Sequence, residues 1–101
     1  MKLLLVTAVE EFQKDILKLF SEAKIESFSG SGIDGYKEPA SVMLTSSWFP
    51  AEKEAVESIM FFSFTDDEKI DKAFELIKTF NAQIDTNNPV KAVVVPIEKW
   101  I

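Results

Sequence analysis

The chain has 101 residues, seventeen acids against eleven bases for a net charge of −6, and 47% apolar residues. That length and composition fit one folded domain, 1–101, and exclude a disordered chain. All eleven bases are lysine, so the dense basic face that phosphate backbones require is missing, and no nucleic-acid partner is expected. Cysteine and histidine are both absent, which removes disulfides, Cys/His zinc sites and every catalytic triad built on histidine.

Lys2 and the run Leu3–Val6 are too short for the apolar core of a signal peptide, since Thr7 and Glu10-Glu11 close them. No run nears the ~20 residues that cross a bilayer. Cytoplasmic residence without membrane insertion is therefore expected.

Leu3 to Val9 reads as a strand buried on both faces. Phe12, Ile16, Leu19, Phe20 and Ala23 follow at the spacing of one helical face, with Glu10 and Glu11 in the first turn. Ser27 to Tyr36 alternates small and larger residues and predicts a weak, bulged strand. Within it, Gly30-Ser31-Gly32-Ile33-Asp34-Gly35 spells G-x-G-x-x-G. No helix opens inside that run, so it is not read as a dinucleotide fingerprint.

Residues 37–54, with Pro39 and Pro50 and no steady period, read as a long loop. Ala55 to Phe64 is a strong strand, with Val56, Met60, Phe62 and Phe64 on one face and Ala55, Ile59 and Phe61 on the other. Thr65 and Glu68 then predict a capping box. Ile70, Ala73, Phe74, Ile77 and Phe80 form a second helical stripe, Asn81 to Pro89 reads as turn, and Lys91 leads into a last strand, Ala92–Val95, closed by Pro96. The order βαββαβ is an α+β, ferredoxin-like pattern: a four-stranded antiparallel sheet with two helices on one face. Two helices cover one face only, yet the strands are apolar on both: Leu3, Leu4, Leu5 and Val6 all need cover, as do Ile59, Met60, Phe61 and Phe62, which predicts self-association through the uncovered face.

Four candidate sites stand out. In the long loop, Val42, Met43, Leu44, Trp48 and Phe49 are residue types enriched at partner interfaces. The glycine run can bring backbone close to a ligand. Asp66, Asp67, Glu68 and Asp71 crowd a helix start, where acids are expected for capping rather than for a metal; Glu52, Glu54 and Glu57 read as a solvated face. Lys91, at the mouth of the last strand, is a point charge suited to an anion. No catalytic pair of carboxylates is evident.

Three segments carry a resemblance to the PII-like signalling proteins. Met1–Val9 looks like their first strand, Asp34-Gly35-Tyr36 like the end of their second, and Lys91-Ala92-Val93-Val94-Val95-Pro96-Ile97-Glu98 like their last. The resemblance implies a compact homotrimer that acts as a sensor and not as an enzyme. It implies that 37–54 is a loop presented to a target protein, which in such families is an enzyme, a transcription regulator or a membrane transporter. It also implies a small effector, usually an adenine nucleotide, in a cleft between subunits, with Gly35, Lys37 and Lys91 as the matching cleft residues. The turn 85–90 departs from the family pattern: it has no glycine and contains Pro89. Two alternatives share the fold. One is a CutA-like trimer linked to divalent-ion tolerance. The other is a small cofactor-free enzyme, which a buried Tyr36 or Trp48 beside an enclosed cavity would mark.

Overall fold

A computed structural model describes residues 1–36 and 55–101. The elements are β1 (Lys2–Val9), a 3-10 turn (Glu10–Phe12), α1 (Gln13–Glu22), β2 (Ser29–Tyr36), β3 (Ala55–Thr65), α2 (Asp67–Gln83) and β4 (Lys91–Pro96). The strands form one antiparallel sheet in the order β2-β3-β1-β4. This is the ferredoxin-like α+β arrangement that the element order predicts. The loop residues Lys37, Val42, Met43, Leu44, Trp48 and Phe49 lie outside the described residues.

The core sits between the sheet and the helices. Leu4, Val6 and Ala8 of β1 and Ile59 and Phe61 of β3 pack against Ile16, Leu19 and Phe20 of α1 and Ile70, Ala73 and Ile77 of α2. Phe20, Phe28 and Phe61 form a triangle of edge-to-face rings with centroids 5.0–5.8 Å apart. Such pairs add roughly 0.5–1.5 kcal/mol each beyond the area they bury. Phe12 meets Phe80 edge-on at 5.3 Å and ties the start of α1 to the last turns of α2.

Helix α1 ends through the left-handed Lys24, φ 61°. The Ile25 amide donates to the Phe20 carbonyl at 2.9 Å, and the Ile25 side chain is buried. That combination is a Schellman-type stop, with its hydrophobic contact supplied by Ile25.

Three local expectations are corrected. The predicted bulge in β2 is absent, because the register runs without slip from Ser29↔Phe62 to Tyr36↔Ala55. The glycines serve close packing instead: a Cβ on Gly30 would lie 2.8 Å from the Phe61 ring. The cap of α2 is Asp66 and not Thr65. Thr65 is held in β3 opposite Lys2, and the Asp66 carboxylate accepts from the Lys69 amide at 3.2 Å. Finally, Asn81 lies inside α2, which runs on to Gln83, and only 84–90 connects to β4.

The sheet face away from the helices is apolar, as the two-sided pattern predicts. Paired positions across the strands place Val95, Leu3 and Phe64 in one row and Val93, Leu5 and Phe62 in the next. Phe64 is 57% and Val93 53% exposed. Lys91 is the only charged residue on this face among the described strands, and no acid falls on it, although the chain carries seventeen.

Candidate functional site

At the upper end of that open face, β1, β2 and β3 meet the turn before β4 around an open cleft of about 450 Å³. Ligand pockets run roughly 300–1,000 Å³, so the space suits a small molecule. The sheet supplies Thr7, Ile33, Gly35, Val56 and Ser58; the turn supplies Asn87, Asn88 and Pro89; Tyr36 and Lys91 stand at the two sides. Register explains the convergence. Gly35 pairs with Val56 and Thr7 with Lys91, and antiparallel partners share a face.

Two of the three predicted cleft residues, Gly35 and Lys91, are therefore brought to one place, and Lys37 lies outside the described residues. Gly35 allows the close approach at the cleft floor: a Cβ there would come 2.9 Å from the Ser58 Oγ. The Ser58 hydroxyl itself donates to the Val56 carbonyl at 3.0 Å. Tyr36 is exposed at the side of the cleft, and Trp48 lies outside the described residues.

Sequence reading missed the scaffold behind the cleft. The Asn81 side chain accepts from the Val90 amide and donates to the Val90 carbonyl, both at 2.9 Å. This fixes the turn just before Lys91. Inside the turn, the Asn88 amide donates to the Thr86 hydroxyl at 3.0 Å. Thr7 and Ser58 give no signal in the sequence, since only the finished register brings them to the cleft, whereas Asn87 and Asn88 fall in the turn that the sequence marks.

A second hollow, about 460 Å³, lies at the same corner beside Glu10, Gln13, Asp34 and Glu57. Asp34 and Glu57 pair directly across β2 and β3. Glu10 shares a hydrogen bond with the Glu57 carboxyl, and that contact with its like charge holds the Glu10 carboxyl above its ordinary value. The two hollows thus differ in character: one is acidic, while the other has a lysine and no acid in its lining. Among the described residues no group of three or more His, Cys, Asp or Glu is arranged to hold a metal ion. No helix among them is long and apolar enough to cross a membrane.

The chain matches no family model and no curated protein.

Proposed function

We propose that this chain is the subunit of a homotrimeric regulatory protein of the PII-like kind. It presents residues 37–54 to a target protein under the control of a small effector held in the Gly35–Lys91 cleft. One observation carries this reading. Gly35 and Tyr36 immediately precede 37–54, Val56 follows it closely, and all three line the cleft together with Lys91. An effector there touches both stems of the segment. A ligand biases one arrangement of 37–54 over another only through contacts that differ between the two, and the stems are where this reading puts them.

The acid-free apolar face supports the assembly half of the reading. A chain at −6 repels its own copies, and this face lets copies meet without setting carboxylates against each other. A cyclic trimer burying its open faces together satisfies the apolar rows. In this role the protein works by binding and not by catalysis, and its target, a membrane transporter among the candidates, contacts Val42, Met43, Leu44, Trp48 and Phe49.

Trypsin tests the coupling, because Lys37 and Lys53 bracket the segment. Under this reading, a compound that raises the thermal transition by occupying the cleft changes the rate of cutting after Lys37 and Lys53. Identical rates with and without such a compound contradict it.

A further inference from the structure

From Asn88 to Val90, the turn beside the cleft has spent its backbone donors. Pro89 has no N–H. The Asn88 amide is taken by the Thr86 hydroxyl at 3.0 Å, and the Val90 amide by the Asn81 side chain at 2.9 Å. A phosphate chain is cradled by several convergent amides or by clustered cations. From Asn88 to Val90 this turn offers no unused amide, and Lys91 is the single cation among the described residues lining the cleft. The rest of the lining is neutral: hydroxyls from Thr7, Ser58 and Tyr36, side-chain amides from Asn87 and Asn88, and apolar walls that include Ile33 and Val56.

We infer that the cleft takes a small organic ligand with one anionic group, a carboxylate or a phosphate monoester, on an apolar or flat body, and that it does not select polyphosphates. Lys91 meets the anion as a point charge, and the hydroxyls and amides around it complete its hydrogen bonds. Ile33, Val56 and Pro89 cover the body. Further phosphates on the same ligand find no unused backbone amide from Asn88 to Val90 and no second cation among the described residues lining the cleft. The inference rests on reading the cleft as the effector site, and it names the class of effector.

Titration calorimetry with AMP, ATP without magnesium, benzoate and phenyl phosphate tests it, on the full chain and on Lys91→Met. Lys91 is exposed, so the variant keeps its fold, and an unchanged thermal transition without ligand confirms that. The expected result is binding of the single-anion probes that weakens about tenfold or more in Lys91→Met, the loss of one charge-assisted contact. ATP is expected to bind no more tightly than AMP. An ATP affinity more than about tenfold above that of AMP overturns the ligand class and leaves the effector reading standing. So does single-anion binding that is indifferent to Lys91→Met. If no probe binds a chain that is trimeric in solution, the ligand class and the effector role both fall, and only the assembly stands.

Discussion

The side-chain amide of Asn81 and the backbone of Val90 exchange two hydrogen bonds, each 2.9 Å long. Asn81 sits in the last turns of α2 and so behaves toward Val90 as a neighbouring strand would. It satisfies both backbone groups of a residue only 3% exposed, just before β4 begins pairing. Asn81→Ala strands that donor and that acceptor in the interior. Each unsatisfied group costs about 1–3 kcal/mol. Urea unfolding should show a lower midpoint for Asn81→Ala than for the parent. Equal midpoints would remove the role assigned to Asn81.

Gly30 and Gly32 are two residues apart in β2 and predict opposite outcomes. A Cβ at Gly30 meets the Phe61 ring at 2.8–2.9 Å, and that ring already packs edge-to-face against Phe20 and Phe28 in the core. A Cβ at Gly32 meets nothing within 4 Å. Gly30→Ala should therefore destabilise by about 1–3 kcal/mol, as overpacking does. Gly32→Ala should be neutral or slightly stabilising, since alanine loses less backbone freedom than glycine on entering a strand. Thermal unfolding of the two variants side by side checks the contrast.

That contrast also shows where the sequence was legible. Two helical stripes and three apolar strands announce themselves by period, and with them the ferredoxin-like order. That one face is left apolar is legible too, because Leu3–Val6 and Ile59–Phe62 lack the alternation of a solvated face; which of them lie on the open side follows only from the packing. The glycines of β2 misled, since their spacing suggests a bulge while their cause is a ring from the neighbouring strand. Asn81 misled for a similar reason. Asparagine is a turn residue by local preference, and its partner Val90 is set only by the tertiary path. Lys91 and the glycine run that holds Gly35 stand out in the sequence, and the resemblance names both as cleft residues, but the hydroxyls of Thr7 and Ser58 beside them depend on register, which local pattern does not carry.

The Glu10–Glu57 contact gives a pH dependence with a definite sign. The Glu10 carboxyl is raised above its ordinary 4.5 in the folded chain, chiefly by its hydrogen bond with Glu57 and then by the repulsion between the two charges. The folded state therefore holds its proton more tightly than the unfolded state does. The stability associated with that proton is present on the acid side and is lost as pH rises through the raised value. Asp34, directly opposite Glu57, adds a like charge at the same corner. Glu57→Gln should flatten the fall in thermal transition above pH 4.5, and the effect should be small because Glu10 is exposed. A profile identical to the parent's would contradict the coupling.

The open sheet face predicts where assembly breaks. Phe64 and Val93 lie in adjacent apolar rows and are more than half exposed. Phe64→Lys should leave the fold intact, because its side chain is outside the core, and should abolish association by placing charge in a face that carries no acid among the described strands. A circular dichroism spectrum like the parent's, alongside a lower mass, is the expected pair of readings.

Assembly through that face is the central claim, and mass in solution tests it most directly. Light scattering on the parent chain, across a dilution series, should return three times the 11.4 kDa chain mass, and Phe64→Lys should return the single-chain value. A parent that scatters as 11.4 kDa at every concentration would contradict the account.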